Sequence, residues 1–260
     1  MWIAIIVFVV SVANIGFIAY KYWNDSHRYD EIATTAFDRK GGSLAEMGVD
    51  WDALRAINPE VVAWVWVPGT RISYPVCWCG DNEKYLDMNF DGAAGVFTGA
   101  GTVFLDGDAK PDFSCQSSFL FGHHMNDGSM FAALSGFADQ GEFDKSRTIY
   151  LLTPKKNYEF RTFALVRTVG TDDLVAHEFA SADAFEEYVE DKESRSPVQP
   201  EEGFPAIEDV YKIIALSTCD YNEADGRAIL YGYVVDQATP SDTPVELVGD
   251  DDGYQAPDKG

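Results

Sequence analysis

Residues 61–76, VVAWVWVPGTRISYPV, alternate along most of their length and are broken once, at Pro68-Gly69. A two-residue period rich in valine and tryptophan fits a pleated strand, and Pro-Gly fits a turn. The stretch therefore predicts two neighbouring strands, 61–67 and 71–76. Outward from it, similar runs occur at 101–105, 117–122, 148–153, 158–169, 211–218 and 227–235. Many short strands with turns between them and few helices predict a mostly-β chain, folded as a closed or nearly closed barrel. Three segments carry helical signals. WDALRAIN (51–58) is amphipathic and stops at Pro59, GSMFAALSGF (128–137) has an apolar stripe, and SADAFEEYVEDKESRS (181–196) opens on a serine cap. Residues 191–208 are charged and contain proline, which predicts a mobile loop.

The two ends differ from this middle. Residues 1–20, MWIAIIVFVVSVANIGFIAY, contain no charged side chain. As a helix they would span roughly 30 Å, the thickness of a bilayer core. Trp2, Tyr20, Tyr22 and Trp23 lie at the ends, where aromatic rings favour the interface. A cleaved signal peptide would need a basic start and a small-x-small site, and neither is present. The expected division is a transmembrane anchor at 1–22, a stalk or N-terminal helical extension at 23–50, a β-barrel domain at 51–237 and an acidic disordered tail at 238–260. Lys21 and Arg28 follow the span, so charge alone does not send the barrel across the membrane.

Of 260 residues, 43 are acidic and 19 basic, a formal charge of −24. Such a field repels phosphate backbones and argues against nucleic acid as a partner. Hydrophobic residues make up 46%, enough to exclude a disordered chain. The four cysteines, at 77, 79, 115 and 219, form no Cys-x-x-Cys and no zinc spacing, so neither a metal nor a cofactor is expected. Cys77 and Cys79 share a face if extended, and one of them could pair with Cys115 in an oxidising compartment; three small buried hydrophobes is the equal alternative.

Cys219 follows the apolar run IIALST and precedes polar residues, which puts a thiol at the exposed end of a buried strand. Arg227 opens the next strand eight residues later. A positive charge beside a thiol stabilises the thiolate or holds a developing oxyanion. A base is also required. Of the four histidines, His27 lies in the stalk and His177 outside any such pattern, whereas His123 and His124 end the strand at 117–122 in GHHMNDG.

Four stretches then resemble one family: INPEVVAWVWVPGTRISYPV (57–76), YLDMNFDG (85–92), FLFGHHMNDGSMFAAL (119–134) and LSTCDYNEADGRAILYGYVV (216–235). In this order and spacing they are similar to the sortases, class B. The resemblance spans about residues 51–236. It implies a sortase-type closed β-barrel with an N-terminal helical extension and a helix between two late strands, at 181–196. It implies a membrane-anchored, extracytoplasmic cysteine transpeptidase of Gram-positive surfaces. Such an enzyme cleaves an Asn-Pro-x-Thr-x sorting signal after threonine and passes the acyl group to an amine of the cell-wall precursor or of a pilin. By motif, Cys219 is the nucleophile, His123 its proton partner and Arg227 the oxyanion stabiliser. Ser217 and Leu86 would contact substrate, and Thr218 would support the Thr-Cys turn beside it. A hydrolytic cysteine protease of the same fold, and a non-catalytic tethered β-domain acting as an adhesin, are the alternatives. A thiol redox protein is disfavoured by the missing resolving cysteine.

Overall fold

The computed structural model describes residues 2–38, 42–93, 100–170, 172, 174–220 and 226–241, with the backbone only at 21, 22 and 220. Helix α1 (Trp2–Ala36) is followed by β1 (Phe37–Asp38), β2 (Gly48–Val49), α2 (Trp51–Ile57), β3 (Val61–Trp66), β4 (Ser73–Cys77), β5 (Val103–Leu105) and β6 (Ser117–Phe121). Then come α3 (Gln140–Lys145), β7 (Thr148–Leu152), β8 (Asn157–Val169), α4 (Ala182–Ser194), β9 (Ile213–Asp220) and β10 (Gly226–Ala238). Strands β10-β8-β7-β3-β4-β5-β6-β9 form a closed barrel, and β9 pairs with β10 to complete it. The β4–β5 and β6–β9 pairs are parallel and the others antiparallel. The closed barrel expected from the alternating runs is thus present.

Period two explains how one strand serves two cores. Along β9, Ile214 and Leu216 belong to the large cluster that includes the barrel interior. Ile213 and Ala215, pointing the other way, join Phe119, Ile229 and Tyr231 in a second cluster beneath Phe185 and Val189 of α4. Helix α4 starts where its cap predicts, with Ser181 Oγ accepting from the Ala184 amide. Asp50 caps α2 in the same way, and Asn58 ends it before Pro59.

Three segments differ from expectation. Helix α1 runs without a break from Trp2 to Ala36, and its second half is not a free stalk but packs on the barrel. Asp25, Tyr29 and Ala36 are buried, Tyr29 donates to the Gly101 carbonyl at 2.5 Å, and Phe37 packs on Trp64 and Trp66. Residues 132–138 form a 3-10 rather than an α-helix, after Met130 at a φ of 54°. Residues 191–208 are not a free loop. Helix α4 occupies them to Ser194, Ser196 Oγ accepts from the Leu165 amide, Val198 is buried, and Gln199 pairs with Gln140 through both backbone groups. The disordered tail expected at 238–260 falls almost wholly outside the described residues; Ala238 still belongs to β10, and the Ser241 amide donates to the Ala45 carbonyl.

His177 pins the segment before α4 to the barrel. Its Nδ1 lies 3.1 Å from the Ser117 carbonyl and its Nε2 3.2 Å from Asp106 Oδ1. Both partners accept, so the imidazolium satisfies them together. The hydrogen bond to Asp106 raises the His177 pKa against the opposing effect of burial. A raised folded pKa stabilises fully below the ordinary value of about 6.5, and the contribution is lost as pH rises through the folded value. We predict that the thermal midpoint of the wild type, relative to His177→Gln, falls as pH is raised from about 6 towards 9. A difference that stays flat over that interval would rule out the charged ring.

Candidate active site

Three strand ends meet at one pole of the barrel. In the β9–β10 register Cys219 stands directly opposite Arg227, and Arg227 stands opposite Thr168 of β8 on its other side. Opposed residues of an antiparallel pair carry Cβ atoms about 4.5–5.5 Å apart on the same face, so the two side chains leave the sheet side by side. The parallel β6–β9 ladder ends at Phe121↔Ser217. His123 follows two residues after the end of β6, and Cys219 two residues after Ser217 on β9. By alternation Cys219 and Arg227 share the face of Ala215 and Ile229, away from the barrel interior. His123, Cys219 and Arg227 are all half-buried.

The His123 ring is held from the far side. Its Nε2 lies 2.6 Å from the Leu86 carbonyl. A carbonyl only accepts, so Nε2 carries a proton. Gly101 makes room for this: at a φ of 60°, a Cβ there would stand 2.8 Å from the His123 ring and 2.9 Å from the Leu86 oxygen. Tyr29 of α1 hydrogen-bonds this same glycine, so the N-terminal helix supports the histidine through one intermediary.

The remaining sequence candidates fall in distinct places. Ser217 lies on the Cys219 face but is 3% exposed. Thr218 points the other way, opposite Ala228 of the interior cluster, with its hydroxyl buried and unpartnered. Leu86 is 42% exposed, so its side chain is an open apolar surface while its carbonyl holds His123. His124 lies beside the Cys219 backbone: its Nδ1 is 3.1 Å from the Cys219 carbonyl. Sequence reasoning gave it no role. Arg227 Nη1 donates to the Gly226 carbonyl at 3.0 Å.

None of the four cysteines is in a disulfide. Cys77 and Cys115 are buried, and burial pushes the Cys77 thiol well above its usual range, so it is protonated and inert. Among the described residues, no group of three or more His, Cys, Asp or Glu side chains is placed to hold a metal ion. One described helix, α1, is long and apolar enough to cross a membrane, and the large apolar side chains along residues 2–18 are exposed.

No protein-family profile matches the chain. Curated proteins do. It is 30% identical over 185 residues to sortase B of Listeria monocytogenes, covering 70% of this chain and 72% of that protein. To sortase B of Staphylococcus aureus it is 23% identical over 187 residues, covering 71% and 74%. Among solved structures, sortase B from B. anthracis superposes with a TM-score of 0.69 at 27% identity, covering 83% of this chain and 98% of that one. Sortase B of Clostridium perfringens gives 0.65 at 25%, covering 71% and 99%. With 30% identity over 72% of the Listeria protein, and the same fold in the solved sortase B structures, the chain belongs to the sortase B family of cysteine transpeptidases.

Proposed function

We propose that this chain is a membrane-tethered sortase that cleaves an Asn-Pro-x-Thr-x signal after threonine and transfers the acyl group to an amine. The observation that supports the reading is the register of Cys219 opposite Arg227, with His123 two residues past the end of the neighbouring strand β6. A solved structure of Staphylococcus aureus sortase B is a substrate complex, and it shares this fold at 23% identity. In the proposed reaction the Cys219 thiolate attacks the threonine carbonyl, forming a C–S bond. Arg227 holds the oxyanion or the substrate backbone. The C–N bond then breaks as His123 passes a proton to the departing amine. In the second half an incoming amine attacks the thioester, His123 takes its proton, and the thiolate leaves. Ser217 and the exposed side chain of Leu86 would border the peptide, with Thr218 supporting the strand beneath.

Residues 1–22 would anchor the protein, 23–50 would join anchor to barrel, 51–237 would perform catalysis outside the cytoplasm, and the acidic stretch from 238 would form a tail. The substrates would be secreted surface proteins or pilins, and the acceptor a cell-wall precursor amine or a pilin lysine. The test is mass spectrometry of the full chain in detergent, incubated with an Asn-Pro-x-Thr-x peptide library and an amine acceptor. The expected result is a thioacyl adduct on Cys219 and an amide product. Adduct followed only by hydrolysis would make the chain a protease. No adduct from any peptide would sink the signal assignment.

A further inference from the structure

The bond that holds the nucleophile's own peptide comes from a side chain rather than from the sheet. In the parallel β6–β9 ladder the last backbone bond runs from the Gly122 amide to the Ser217 carbonyl, at 3.1 Å. Every second carbonyl of a strand faces the same neighbour, so the next acceptor is Cys219 and the amide that would serve it belongs to His124. The chain turns away before it can do so. The Phe131 amide takes the His123 carbonyl at 2.9 Å, and His124 forms a bridge with Met130. In place of the amide, the His124 ring puts Nδ1 3.1 Å from the Cys219 oxygen. Ser135 Oγ lies 3.2 Å from the same nitrogen, and the Ser135 carbonyl accepts from Arg167 Nη2 at 3.3 Å. Because a carbonyl cannot donate, Nδ1 carries the proton, and Ser135 Oγ shares it as a second acceptor.

We infer that His124 is the positioning residue for the nucleophile: its Nδ1–H replaces the missing ladder bond and fixes the Cys219 peptide where β6 and β9 part. The parting opens space for His123 and a substrate, and the ring prevents that space from loosening the thiol. This rests on the assignment of Cys219 as nucleophile.

The experiment compares His124→Ala, His124→Asn and His124→Gln in the full chain in detergent. It measures kcat and KM on an Asn-Pro-x-Thr-x peptide, and separately the rate at which iodoacetamide alkylates Cys219, mapped by mass spectrometry. Misplacing a reacting group by about 1 Å costs up to about a hundredfold, so alanine should lower kcat about ten- to a hundredfold with KM within about twofold. Asparagine carries an N–H at the Nδ1 position and should restore kcat to within about threefold; glutamine, whose amide reaches further out, should not. Alkylation should fall in the same order, by about three- to tenfold for alanine. The inference is overturned if alanine keeps kcat within about threefold, if asparagine and glutamine behave alike, or if losses simply follow thermal midpoint. Alkylation needs no peptide. If wild type ignores the peptide while alkylation keeps the alanine–asparagine–glutamine order, the signal assignment has failed and the positioning role stands. If alkylation is the same in all three variants, the positioning role fails whatever the peptide does.

Discussion

Cys219→Ala should reduce both thioacyl adduct and amide product to background, a loss on the order of 10⁴-fold or more in rate. A covalent route has no substitute for its nucleophile, and no other thiol is placed to take over. Cys77 and Cys115 are buried, and Cys79 lies on the loop after β4, beside Asp81 rather than beside His123. The substitution should leave folding intact, because Cys219 is only half-buried and removing its sulfur leaves the β9–β10 ladder unchanged. A shift in stability within about 0.5 kcal/mol is expected. Rates from stopped assays on the full chain, with peptide mapping of any adduct, check this. Residual turnover above about one per cent, or an adduct on Cys79, would place the nucleophile elsewhere.

Arg227→Ala should lower kcat about a hundred- to a thousandfold, the cost of removing a donor aimed at developing negative charge. The Arg227 variants also separate two roles. If the guanidinium holds the oxyanion or the substrate backbone through its planar fork, Arg227→Lys should remain within about tenfold of the alanine variant, because an ammonium is a point charge with different reach. If the charge acts only by stabilising the thiolate, lysine should restore most of the rate and the pH dependence of Cys219 alkylation should shift between wild type and alanine. The expected pattern is the first. Steady-state kinetics on the three proteins, with the alkylation profile alongside, decides it.

Much of the barrel was legible because its strands obey a simple period. β3, β6, β9 and β10 lie where alternation or an apolar run placed them, to within a residue or three at each end. The grouping of Cys219 with Arg227 followed from one short connection between consecutive strands. Motif alone favours His123 over His124 as the proton partner; the β6–β9 pairing ends at Phe121, before either ring. What escaped the sequence depended on tertiary partners. In α1 the buried Asp25, Tyr29 and Ala36, with Ile32 and Ala33 packed against the core, make a helical stripe, but the charged residues around it gave the segment the look of a solvated stalk. Residues 195–200 are polar, and they are ordered by Ser196 and Gln199 bonding to distant backbone and side-chain groups that no local pattern announces. The His124 bond lies two residues past the last backbone bond between β6 and β9, beside the bridge to Met130.

The continuity of α1 has a mechanical consequence. Tyr20 is exposed, and Tyr29, nine residues further along the same unbroken helix, is buried against Gly101 at the edge of the His123 ring. Nine residues of α-helix are about 14 Å. There is no swivel in that interval, so whatever surface holds the first turns also fixes the elevation and tilt of the barrel above it. With residues 1–22 in a bilayer, as proposed, the barrel would act as a gauge rather than a tethered float, held at one set height above that surface. Inserting a flexible glycine-serine stretch between Tyr20 and Asp25 would test that height without touching a single group in the site.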